Sequence, residues 1–174
     1  MEIKLKQIGI IALVAALTLG ALIGIQYGWK KLMHEDPTVA KLKAVQGVNS
    51  VDMTVQKPEQ SIEVRLNSVE NLKQTCQQLL EASNFSKILI EDNRTPELQA
   101  LLEKTRFDIE EAMVRGDFTV MQKAIEVAAK DAKLDRYAVY LDAEYIYLEF
   151  HKGNSNLYQV FPRQQGKEQI VTKG

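Results

Sequence analysis

From Gln7 to Trp29 the chain runs for 23 residues without a charged side chain, and no other feature limits its folding so strongly. Within that stretch, Ile8 to Ile25 contains Ile, Leu, Val, Ala, Gly and the single Thr18. Wound as a helix, 23 residues reach roughly 34 Å, enough to cross a hydrocarbon core of about 30 Å. Lys4 and Lys6 precede the segment. Tyr27 and Trp29 close it, where amphipathic rings favour the membrane–water interface, and Lys30 and Lys31 stop it. A cleaved secretion signal would have a shorter apolar core of about 7–15 residues, and Thr18-Leu19-Gly20 is a poor cleavage site. The expectation is a retained single-pass anchor at residues 8–29. A short basic N-terminus (1–7) precedes it and a juxtamembrane linker (30–36) comes after it, which makes the lipid bilayer the first partner and the cell membrane the location.

Two arguments about orientation conflict. Lys30, Lys31, Lys41 and Lys43 outnumber Lys4 and Lys6, and by the positive-inside count they would keep the C-terminal domain in the cytoplasm. Short basic N-termini before bacterial anchors usually go with export of the C-terminal domain. The side stays open, with a lean to an extracytoplasmic domain. Lys30 and Lys31 are also candidate contacts for anionic lipid headgroups. Along the anchor, Ala12, Ala16, Gly20, Gly24 and Gly28 recur every four residues. Such a ridge lets two helix backbones approach closely and pack, so a homodimer through the anchor is a candidate. The bland alternative is that Ala and Gly are simply common in this segment.

After the anchor and linker, residues 37–162 are enough for one small domain with its own core. Net charge is −1, with 26% charged and 45% hydrophobic residues, so no global field favours a nucleic acid, and none is expected as partner. Cys76 is the one cysteine, which excludes a disulfide within the chain and any CxxC motif. It reads as a small apolar residue on a helix face.

Local patterns set the order of elements. Asp36-Pro37 reads as an N-cap with proline at the first helical position, opening a helix to about Gln46 that Gly47 stops. Val51, Met53 and Val55, then Ile62, Val64 and Leu66, alternate with polar residues around the turn Lys57-Pro58-Glu59-Gln60. That is a hairpin with one buried face. Asn67 and Glu70 suggest a capping box for a helix over Val69–Ala82, with Val69, Leu72, Cys76 and Leu79 inward. Lys87–Glu91 is a short buried strand. Thr95-Pro96 starts a helix to about Val114, burying Leu98, Leu101, Leu102, Ile109 and Met113. Gly116 ends it, and Asp117 caps another helix over Phe118–Ala132 with Met121, Ile125 and Ala128 inward. Three strands come next as a meander, at Tyr137–Leu141, Tyr145–His151 and Leu157–Phe161. Residues 163–174 show no period and are expected to be a disordered tail. The fold class is α+β: one transmembrane helix, then a soluble domain of order α-β-β-α-β-α-α-β-β-β.

The run Lys41-Leu42-Lys43-Ala44-Val45-Gln46-Gly47-Val48-Asn49-Ser50-Val51, the strand Ile62-Glu63-Val64 and the leucine-rich helix after it resemble a ferredoxin-like module over residues 37–91. Heavy-metal-associated domains have a similar rhythm, and ring-building modules of secretion and sporulation assemblies are similar α/β units with hairpins. The usual first strand is missing, and a strand of the C-terminal meander could take its place, fusing the halves 37–91 and 95–162. The metal-binding CxxC is missing too, so metal transport is not implied. The whole chain resembles uncharacterised single-span membrane-anchored proteins of Gram-positive bacteria, which implies a membrane setting but supplies no activity.

No GxSxG, P-loop, HExxH or GxGxxG motif occurs, so no catalytic residue, cofactor or metal is assigned. Glu149 and His151 share a strand face, but two ligands do not make a metal site. Five of the six tyrosines lie between Tyr137 and Tyr158. If Ile146, Leu148 and Phe150 face the core, then Tyr145, Tyr147, Glu149 and His151 form a partly exposed face, a candidate partner-binding surface. The competing reading has helices covering it. The leading expectation is a membrane-anchored, non-enzymatic interaction or assembly protein of the cell envelope with an unknown protein partner. The alternatives are a ligand- or cell-wall-sensing module using the tyrosine face, and an enzyme with a scattered site.

Overall fold

Sequence patterning and tertiary pairing together define seven strands and four helices in a computed structural model that describes Thr18 and residues 37–56, 59–164, 166 and 169–173. The segment expected to be an anchor, with Ala12, Ala16, Gly20, Gly24, Gly28, Lys30 and Lys31, lies outside the described residues apart from Thr18. Among the described residues no helix is long and apolar enough to cross a membrane.

Helix α1 (Pro37–Lys43) buries Val39 and Leu42 and is shorter than its sequence pattern suggests. The chain leaves it through Gly47 at φ +90°, where a Cβ would stand 2.3 Å from Cγ1 of Val69, so only glycine fits the turn. Strands β1 (Val48–Gln56) and β2 (Glu59–Leu66) form the expected antiparallel hairpin, with an irregularity between Val48 and Ser50. Helix α2 (Leu72–Ala82) crosses over to β3 (Lys87–Glu91), which runs parallel to β2. Its N-cap is Asn71, whose side chain accepts from the Gln74 N–H at 3.0 Å. The Asn67–Glu70 box is therefore displaced, and Val69 is buried in the loop before the helix.

Helix α3 (Pro96–Arg115) starts at the Thr95 cap and ends at Gly116, which takes the left-handed conformation at φ +79°. Helix α4 (Phe118–Asp131) starts after Asp117, whose side chain makes no cap hydrogen bond. The meander is β4 (Arg136–Leu141), β5 (Tyr145–Lys152) and β6 (Ser155–Pro162), paired antiparallel in that order. The expected disordered tail instead supplies β7 (Ile170–Lys173), parallel to β3, with Ile170 buried in the core. Three β-branched residues, Ile170, Val171 and Thr172, suffice for a strand once a neighbour offers its edge.

The first sheet has the order β1-β2-β3-β7 and the second β4-β5-β6. No strand stands between β2 and β3, so the meander does not supply the expected central strand; the tail closes the edge of β3. Residues 38–174 form one compact unit with two apolar clusters. One joins α1, α2 and a face of the first sheet to Tyr145, Tyr147, Tyr158 and Val160. The other joins α3 and α4 to Ile146, Leu148, Phe150, Leu157 and Phe161. The second sheet is thus buried on both faces.

Candidate functional site

Strand β5 alternates Ile146, Leu148 and Phe150 toward the helical hairpin α3–α4, as the pattern requires. The sequence pattern predicts a partly exposed opposite face. Instead Tyr145, Tyr147, Glu149 and His151 are all buried, because α2 packs over β4 and β5 on that side. A partner cannot reach this face, and a sensing surface built on it is removed. The covering helix is the short α2, while the two long helices cover the other side.

The face carries an interior polar cluster. Glu149 Oε1 accepts from the Leu72 N–H at 2.6 Å, at the N-terminus of α2, where free N–H groups and the helix dipole favour an anion. Its Oε2 stands 3.0 Å from Nη2 of Arg136 and 3.1 Å from Nε2 of His151. Arg136 also donates to the carbonyls of Val69 and Glu70, holding the loop before α2. The same Nη2 lies 2.7 Å from His151 Nε2, while His151 Nδ1 lies 2.6 Å from Oδ1 of Asn156. Both contacts are hydrogen bonds when the ring is neutral with its proton on Nδ1: Nε2 then accepts from Arg136 and Nδ1 donates to Asn156. Tyr158 completes the set, donating to the Asn67 carbonyl at 2.7 Å and accepting from the Val69 N–H at 3.0 Å.

A second cluster knits β3 to β6. Asp92, whose side chain is shut off from solvent, pairs with Arg94 at 2.7 Å and accepts from the Tyr158 N–H at 2.7 Å. Asp142 accepts from the N–H groups of Glu144 and Tyr145 and from the Tyr147 hydroxyl. Burial raises its pKa, but those three hydrogen bonds outweigh burial and hold the carboxyl below its ordinary value. The Cys76 thiol is pushed far up by burial, then by the Glu149 and Asp142 charges, and is inert as a nucleophile.

Beside the main cluster lies a pocket of about 340 Å³ with polar walls that include Asn67, Asn93, Arg136, His151 and Asn154. Its groups bind each other: Asn93 donates to the Asn154 carbonyl at 2.7 Å and accepts from the Asn156 N–H at 2.8 Å. Both ring nitrogens of His151 and both oxygens of Glu149 have partners inside the protein. Among the described residues no group of three or more His, Cys, Asp or Glu is placed to hold a metal ion. Chemically, the cluster fixes α2 and its preceding loop on the second sheet.

Hairpin register carries most of this cluster. In the β4–β5 pairing Arg136 stands opposite His151, and in β5–β6 Asn156 stands opposite His151 and Tyr158 opposite Glu149. Counting outward from the turn at Asp142–Glu144 gives the first match. Arg136 and Asn156 belong to no motif, so motif reading alone misses them.

The exposed apolar residues lie elsewhere. Phe107 and Val114 on α3, and Val120 and Val127 on α4, are between 60% and 87% exposed. A groove of about 410 Å³ runs between the two helices, with Val120, Ala124, Val127 and Ala128 as its apolar lining and Lys104, Asp108 and Lys123 as its charged lining. No protein-family model, curated protein or solved structure matches the chain.

Proposed function

We propose that this is a membrane-anchored, non-enzymatic interaction or assembly protein of the bacterial cell envelope, held by residues 8–29, with its soluble domain outside the cytoplasm. The observation that carries the reading is the apolar outer face of the α3–α4 hairpin: four large side chains stand in solvent on a domain whose polar cluster is satisfied internally. The uncharged span Gln7–Trp29 supports the anchor. The order α1-β1-β2-α2-β3 supports likeness to a ring-building α/β unit. Self-association of the anchor along Ala12, Ala16, Gly20, Gly24 and Gly28, and lipid contact by Lys30 and Lys31, belong to the same reading.

The test uses the full chain with a reporter after Gly174 that works only outside the cytoplasm. The expected result is a carbonate-resistant membrane protein with an active reporter, running on native gels in mild detergent as a species larger than one chain. Val120→Asp with Val127→Asp should reduce that size without lowering the amount folded. A chain recovered in the soluble fraction, or one that runs as a single copy, overturns the reading.

A further inference from the structure

We infer that the outer face of the α3–α4 hairpin is the contact surface for a second copy of this chain. The inference rests on the interaction reading above and names the partner. Phe107, Glu110 and Val114 form a ridge on α3; Val120, Lys123 and Val127 form one on α4. Both have one spacing, apolar at i, charged at i+3 and apolar at i+7, which places the three side chains on one helix face. The central charges are opposite in sign. Two neighbouring pairs close within the chain, Glu111 with Arg115 at 2.6 Å and Glu126 with Lys130 at 2.6 Å, while Lys104 and Asp108 line the groove together with Lys123. Glu110 and Lys123 form no ion pair among the described residues.

The levels also match. Gly116 and Asp117 join the helices tightly, so each step back along α3 is met by an equal step of about 1.5 Å forward along α4. Glu110 therefore stands level with Lys123, and Phe107 and Val114 each stand within one residue of the levels of Val127 and Val120. A two-fold axis parallel to the helices turns a second hairpin face to face without changing any level. It sets α3 of one copy opposite α4 of the other, antiparallel, as in a four-helix bundle. Phe107 then enters the second copy's groove beside Val127, and Glu110 faces Lys123 of the second copy. Each contact occurs twice, which closes the assembly as a dimer.

Cys76 is the one native cysteine and is buried, so introduced cysteines report cleanly. Two differently tagged full-length chains, one F107C and the other V127C, are co-expressed and oxidised with copper phenanthroline in whichever cell fraction holds them. The expected result is a disulfide between unlike chains in large excess over either like pair. E110K or K123E alone should each weaken that cross-link about tenfold, since each reversal replaces two attractive contacts by repulsive ones, and E110K with K123E in both chains should restore it. Unchanged thermal midpoints show that the variants are folded. Like pairs cross-linking as well as unlike ones, a double reversal as weak as the singles, or cross-linking only to a different protein overturns the second copy. Recovery outside the membrane overturns the envelope reading alone, because the cross-link pattern still reads this contact.

Discussion

Glu149 has no exposure to solvent, and burying a carboxylate without partners is costly. Arg136 and the Leu72 N–H make its position tolerable. Breaking a buried pair by removing one partner leaves the other uncompensated, so Glu149→Ala should destabilise the domain by about 3 kcal/mol in urea unfolding. Arg136 keeps 40% of its side chain in solvent, which keeps the cost from running higher. Tyr158 sets a pH limit. Burial, joined by the Glu149 charge, pushes its phenol up to about 12 against the pull of the Val69 N–H. The unfolded phenol ionises near 10, so its stabilising effect is complete below about pH 10 and lost as pH rises toward 12. Tyr158→Phe should flatten the fall in stability across that window and cost about 1–2 kcal/mol at neutral pH, because two backbone groups lose their partner. Thermal midpoints measured from neutral pH up through that window check both effects. From sequence, Glu149 and His151 are visible as neighbours on one face. Their burial is not, because alternation along β5 tells which residues share a face and nothing about what covers it.

Among the elements, those with a strong local signal are legible: the β1–β2 hairpin, the Thr95 and Gly116 ends of α3, and the meander all stand where spacing and turn residues place them. Strand β7 has no such signal. Four residues flanked by polar ones become a strand only through the edge that β3 offers, a contact without trace in local sequence. With β7 on its edge, β3 is paired on both sides, and Ile88 and Ile90 are buried with Leu89 half-buried between them. Ile170→Ala should therefore behave as a core substitution rather than a tail one, costing about 3 kcal/mol. Hydrogen exchange should show protection falling in Ile88–Glu91 with it; unchanged protection there would count against β7 as a structural strand.

For the folded unit as a whole, the second sheet belongs to both apolar clusters, with tyrosines on one face and Ile146, Leu148 and Phe150 on the other. Losing either cluster strips one side of the same three strands, so the two should melt together. Leu79→Ala in the first cluster and Ile125→Ala in the second should each lower a single shared midpoint, by about 2–5 kcal/mol in stability. Tyrosine fluorescence and far-ultraviolet dichroism should trace one curve; two separated transitions would contradict the shared sheet. The pairing of Ile88 with Ile170 also joins residues about 80 positions apart. The meander and the helical hairpin close over short loops, whereas this parallel pairing must wait for the whole intervening segment to be in place. Refolding should therefore reach its helices and meander early and its β3–β7 seam last, leaving the Ile88–Ile90 edge open for the longest time. That interval, rather than any feature of the finished fold, is when the chain is most open to aggregation.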